Sequence, residues 1–173
     1  MAEITVAQIS KLRQQTGAGM MDCKKALTET DGDVEAAVEW LRKKGAATAE
    51  KKSSRTTLEG IIARNLTPDG KKGTLVEINC ETDFVAKNEK FQEFCNEVAT
   101  MYCENPEADL EEKRTKAVAE TGENIQLSRN ESLSIEGSGA VAAYIHHGAK
   151  VGVLIAVATG KEETTELEAF KEL

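Results

Sequence analysis

GIIARNL at 60–66, the turn TPDGKKG at 67–73 and TLVEINC at 74–80, running straight into ETDFVAKN at 81–88, decide the fold of this chain. Two apolar runs flank Pro68, Asp69 and Gly70, which supply tight-turn chemistry, so the segment reads as a β-hairpin. Val76, Ile78 and Cys80 alternate onto one face and mark its buried side. The alternation stops at Glu81. Thr82 or Asp83 can then accept the first free amide hydrogens of a helix, and that corner holds Phe84 beside a fixed carboxylate. A ring there either plugs the local core or touches something outside the chain, and the fragment alone leaves both readings open.

Downstream, Asn88 restarts capping, and Phe91, Phe94, Cys95, Val98, Met101 and Tyr102 recur at helical spacing until Asn105 and Pro106 end the run. Residues 107–121 give a second helix whose charges pair at three and four residues, which reads as a solvated face. AVAAYIH at 140–146 and AKVGVLIAVA at 149–158 read as two strands joined at His147 and Gly148. The second is nearly continuous in apolar residues, as a strand covered on both faces would be.

Upstream, residues 1–45 read as three short helices. Thr5 can cap a helix presenting Val6, Ile9 and Leu12; Gly17 and Gly19 interrupt the chain before a helix carrying Cys23, Ala26 and Leu27. Asp31, Gly32 and Asp33 form a turn and cap, the third helix buries Val34, Ala37, Val38 and Leu41, and Gly45 suits a left-handed stop. AATAEKKSSRTTL at 46–58 is polar and aperiodic, which reads as a linker. The expected architecture is α+β: a three-helix module at 1–45, a linker at 46–58, a first core subdomain of antiparallel hairpin plus helices at 59–139, and the start of a second core subdomain at 140–173.

Charge is uneven. Residues 1–58 carry 10 Lys and Arg against 8 Asp and Glu, whereas residues 59–173 carry 12 against 22, within a net charge of −8. An acidic body argues against nucleic acid, which needs clustered cations to neutralise phosphates. The basic stretch Arg42, Lys43, Lys44, Lys51, Lys52 and Arg55 reads as a helix end and solvated linker. No run approaches the roughly 20 apolar residues that span a bilayer, and no signal peptide is visible, so a cytoplasmic protein without membrane contact is expected. Four cysteines at 23, 80, 95 and 103, without a CxxC pair and with only His146 and His147 to assist, fit small buried thiols better than a metal site.

No Gly-rich phosphate loop, HExxH or GxSxG occurs, and Cys80 with His146 or His147 is a weak case for a nucleophile and base, so neither an enzyme nor a cofactor is expected. GAGMMDC at 17–23 puts two methionines at the entry of a short helix, as a core plug or an adaptable protein-binding patch. The adjacent histidines serve either as a solvated turn or as a contact point.

LRQQTGAGMMDCKKAL at 12–27 and EINCETDFVAK at 77–87, followed by GENI at 122–125 and YIHHGAKVGVL at 144–154, resemble in order the elongation factor Ts family, nucleotide-exchange factors for the translational GTPase elongation factor Tu. The N-terminal module also resembles the ubiquitin-associated three-helix fold. The resemblance implies that residues 1 to about 55 dock on the partner's GTPase domain. Asp83 and Phe84 would insert beside its magnesium and nucleotide pocket, with Thr82 and Val85 flanking them. It further implies contacts from Leu12, Met20 and Met21, from Gly122, and from His147 with Gly148. Thr121 departs from the family pattern, where an aliphatic residue stands. The implied partner is elongation factor Tu, in an assembly with up to two copies of each protein. Longer family members continue well past the strand at 151–158, so 140–173 reads as an incomplete subdomain truncated at the C-terminus. The rival reading is a binding module that docks a partner helix without affecting nucleotide.

Overall fold

The computed structural model describes residues 4–172, which fold as two compact units, residues 4–56 with 111–125 and residues 57–110 with 126–172. The described elements are α+β, as the hydrophobic periods require.

In the first unit, Thr5 caps α1 (Val6–Thr16) through a capping box with Gln8, and Gly17 closes it at φ 72. Helix α2 (Met20–Glu29) follows at once. Asp33 Oδ1 accepts the Ala36 amide at 3.0 Å and starts α3 (Val34–Lys52). Ile9, Leu12, Cys23, Ala26, Leu27 and Ala37 meet in the core, with Trp40 and Leu41 partly buried against it. Val6, expected on the inner face, is exposed.

The linker expected at 46–58 is corrected here: α3 continues through Lys52, and Gly45 is a buried helical residue rather than a stop. The reason lies far along the chain. Helix α6 (Glu111–Thr121) packs on α3, and a Cβ at Gly45 would stand 3.4 Å from the Thr115 methyl. Gly45 and Ala49, both buried, are therefore a helix-packing surface rather than part of a flexible spacer, while Ala46 and Ala47 are exposed. Lys52 Nζ donates to the Gly122 carbonyl, and the buried Asn124 amide donates to the carbonyls of Ser53 and Arg55, at 3.3 and 2.8 Å, so the end of α3 is tied down. The charged helix at 107–121 thus has a buried side, formed by Thr115, Ala117 and Val118, besides its solvated one.

In the second unit, β1 (Glu59–Leu66) and β2 (Lys72–Cys80) form the expected antiparallel hairpin, Glu59 opposite Cys80 and Leu66 opposite Gly73. A third strand, β3 (Gln126–Ser134), pairs antiparallel with the other edge of β2 and is absent from the sequence reading. Its residues are largely polar and exposed, so as an edge strand it lacks the period-2 signal. Val76, Ile78 and Cys80 lie under α5 (Glu89–Glu104), which contributes Phe91, Cys95 and Val98.

The opposite face of the hairpin receives β4 (Gly139–Ile145) and β5 (Gly152–Ala158), a second antiparallel sheet. The approach is close: a Cβ at Gly73 would fall 2.9 Å from Val141 and 3.0 Å from Leu154, and one at Gly152 would fall 2.9 Å from Ile62. β5 is not covered on both faces, which corrects the expectation from its apolar run. Leu154 turns toward the first sheet, whereas Val153 and Ile155 alternate outward with Val151 and Tyr144 and are exposed. A 3-10 turn at Glu162–Glu166 and α7 (Glu168–Lys171) close the described chain.

Gly45→Ala tests the continuous helix. Alanine is favoured over glycine by about 0.8–1 kcal/mol inside a helix, and the new methyl meets Thr115 at contact distance. Urea unfolding followed by Trp40, the single tryptophan and a first-unit residue, should show stabilisation of about 0.5–1 kcal/mol. A left-handed stop at Gly45 would instead give a loss.

Candidate functional site

The corner after β2 is built by two consecutive helix caps. Thr82, extended at φ −125 and ψ 156, accepts the Val85 amide on its hydroxyl at 3.4 Å and starts α4 (Asp83–Ala86), a single turn. Asn88 then accepts the amides of Lys90 and Phe91, at 3.0 and 3.4 Å, and starts α5. The Cys80 thiol donates to the Thr82 carbonyl at 3.2 Å, and the Gln92 amide donates to the Ala86 carbonyl at 3.3 Å. Ala86 is buried and anchors the turn. Residues two apart on a helix point about 200° apart, so the anchor that buries Ala86 drives Phe84 outward. Phe84 is 83 % exposed, and Val85 is half-buried. The alternative in which Phe84 plugs the core does not describe this fold; Phe91 fills that place, 2 % exposed.

Asp83 is paired with Lys87, one turn on, at 2.6 Å. The ammonium hydrogen bond, and then its charge, hold the Asp83 carboxyl below the ordinary aspartate range, and the same carboxylate raises Lys87. Both groups are exposed, so the pair fixes a side-chain direction rather than stabilising the fold. Lys87 is a site residue that the motifs do not mark, although its spacing of four from Asp83 is the readable signal.

The His147–Gly148 turn lies at the same end of the second unit. Gly148 and Ala149 take positive φ, 87 and 53, and the Ala149 carbonyl accepts the Ile62 amide at 2.7 Å. Lys150 bonds Glu59, whose strand partner Cys80 precedes the corner by two residues. His147 is exposed, and the adjacent His146 shares a hydrogen with Tyr144 at 2.9 Å. Cys80, considered as a nucleophile, is fully buried with its thiol bonded to backbone.

The remaining site residues belong to the first unit. Met20 and Met21 are exposed at the start of α2, which settles the GAGMMDC segment as surface at these two positions. Gly122, at φ 76, ends α6, and the Glu120 carboxylate two residues before it lies against Gly17 in the turn that leads to Met20. The fold thus brings the end of α6 beside the α1–α2 turn. Leu12 is a correction: fully buried between α1 and α2, it supports this surface from below and is not part of it. Among the described residues, no group of three or more His, Cys, Asp or Glu side chains is arranged to hold a metal ion, and no helix is long and apolar enough to cross a membrane.

The class is therefore a two-unit α+β protein that presents an aromatic ring and a carboxylate on a rigid, capped corner. Residues 81–173 match the family described as Elongation factor TS, and residues 1–49 match the one described as Elongation factor Ts, mitochondrial, N-terminal. The chain belongs to the elongation factor Ts family. It is 48 % identical to Elongation factor Ts of Trichlorobacter lovleyi, over 96 % of this chain and 58 % of that protein. Identity is 46 % to that of Symbiobacterium thermophilum, over 98 % and 59 %, and 44 % to that of Desulfovibrio desulfuricans, over 100 % and 63 %. The chain thus spans about 60 % of the length of these relatives.

Two measurements check the corner. Phe84→Ala should leave unfolding free energy within about 0.5 kcal/mol of the parent, whereas Phe91→Ala should cost about 3–5 kcal/mol. In an NMR titration Asp83 should titrate below the ordinary aspartate range, and Lys87→Met should return it upward. Because the folded pKa is depressed, the pair's contribution is present at neutral pH and disappears as pH falls through the Asp83 titration.

Proposed function

We propose that this chain is a guanine-nucleotide exchange factor that promotes GDP release from elongation factor Tu during translation elongation in the cytoplasm. The observation that carries the proposal is Phe84, 83 % exposed on a single turn set between the Thr82 and Asn88 caps. A large apolar ring held out in water gains free energy when it enters a partner's apolar crevice, and a preformed corner loses little conformational freedom on doing so.

In this reading Phe84 is a wedge. It enters between helices of the GTPase beside the nucleotide pocket, displaces the elements that hold magnesium, and weakens the grip on the GDP phosphates. Asp83, ionised at neutral pH and oriented by its ion pair with Lys87, supports the insertion through polar contacts. Met20, Met21 and Gly122 on the first unit form a docking surface for the GTPase domain, in a ubiquitin-associated-like use of three helices. His147 and Gly148 form a further contact on the second unit.

Exchange by a wedge needs no covalent intermediate, proton transfer or cofactor. It needs an affinity difference. If the factor lowers nucleotide affinity by some ratio, nucleotide lowers factor affinity by the same ratio, so one ternary complex runs in either direction. A ring that fits the partner equally well with and without nucleotide would shift nothing, so the wedge has to fit the nucleotide-free form better. The excess of GTP over GDP, not this chain, then sets the product.

The test is release of a fluorescent GDP analogue from elongation factor Tu, chased with unlabelled nucleotide. The chain should accelerate release, and Phe84→Ala should reduce the acceleration by about tenfold or more, as expected for loss of an aromatic anchor. Release unaffected by the chain at saturating concentration would sink the proposal.

A further inference from the structure

Three observations converge on the end of the second unit from which Phe84 projects. Lys150, in the turn between β4 and β5, bonds the Glu59 carboxylate at the start of β1. The Ile62 amide donates to the Ala149 carbonyl in the same turn, at 2.7 Å. Glu59 stands opposite Cys80, the last residue of β2 and two before the Thr82 cap, and Lys87 feels the Glu59 charge besides that of Asp83. Asp83, Lys87, Glu59 and Lys150 therefore form a run of alternating charge from one candidate contact loop to the other.

We propose that Glu59 and Lys150 are positioning residues for nucleotide exchange: their ion pair clamps the His146–Val151 turn to the strand end beside the Asp83–Phe84 corner, so that His147 and Phe84 meet the partner at a fixed separation. The proposal rests on the exchange reading above. Ala149 holds φ 53, a region that non-glycine residues seldom occupy, so the turn requires support from outside itself. The Ile62 bond is one point of attachment and would act alone as a hinge. The ion pair is a second point, and two points fix an orientation. An exposed pair adds little to global stability, but a loop already held in its bound conformation loses less freedom on binding. Elimination of the clamp should therefore weaken engagement while leaving the wedge step itself intact.

The test uses the intact chain with Lys150→Met, Glu59→Gln, the two combined, and Lys150→Arg. Hydrogen exchange at the Ile62 and Ala149 amides reads the clamp directly, and the concentration dependence of nucleotide release reads its use. Each single variant should speed exchange at both amides and raise the half-saturating concentration by about two- to fivefold at unchanged maximal rate. The combined variant should be no worse than the weaker single one, because both remove the same pair, and Lys150→Arg should restore parental behaviour. Amide rates equal to the parent in both single variants would overturn the clamp, as would effects that add in the combination. A parent chain without exchange activity would overturn the reading of the site and the positioning role with it, while the amide rates would still decide whether the clamp exists.

Discussion

Strand β2 is the constraint on which the second unit depends. It is paired on both edges, by β1 and β3, and covered on both faces, by α5 and by the β4–β5 sheet. Pairing on two edges and close packing on two faces leave it no alternative register, since a slip of one residue would turn Val76, Ile78 and Cys80 out of the core. Gly73 admits the second sheet where any side chain would collide with Val141 and Leu154. A strand held this firmly delivers its last residue to one place, and the chain leaves it through the Thr82 cap with little freedom. The exposure of Phe84 follows from that rigidity, because the buried Ala86 leaves the ring no inward path.

The first unit solves a different problem. Helices α1 and α2 and the first half of α3 enclose few large side chains, and so small a core is marginal alone. Helix α6 adds Thr115, Ala117 and Val118 from far along the sequence, and the small residues of the second half of α3 let it approach. Lys52, Asn124 and Arg114 then tie the ends: Arg114 pairs with Glu111 and donates to the Ile125 carbonyl at 2.9 Å. The same packing sets the end of α6 beside the α1–α2 turn. Surface and stability are thus products of one contact, and the methionines stand on a scaffold closed by a distant helix.

The proposed exchange role asks both units for geometry rather than reactive groups. What such a factor must supply is a rigid projection and a second point of contact that prevents rocking. The capped corner is suited to the first and the tethered His147 turn to the second, through the alternating charges of Asp83, Lys87, Glu59 and Lys150.

Local chemistry alone determined the caps at Thr5 and Asn88, a cap at Thr82 or Asp83, the hairpin around Pro68–Gly70, the amphipathic α5 and the α+β class, because each depends on residues within a few positions of one another. The motif residues of the corner were equally plain. Only tertiary structure decided that Phe84 is exposed and Leu12 buried, since periodicity marks an apolar face without saying what meets it. The helical course of residues 46–52 depended on α6, and β3 depended on a free edge of β2, neither of which leaves a local period. β5 looked buried on both faces because its composition is apolar throughout, yet a two-stranded sheet packed on one side covers only alternate residues. The pairing of Lys150 with Glu59 could not be read at all, because the two charges meet only once two sheets have packed.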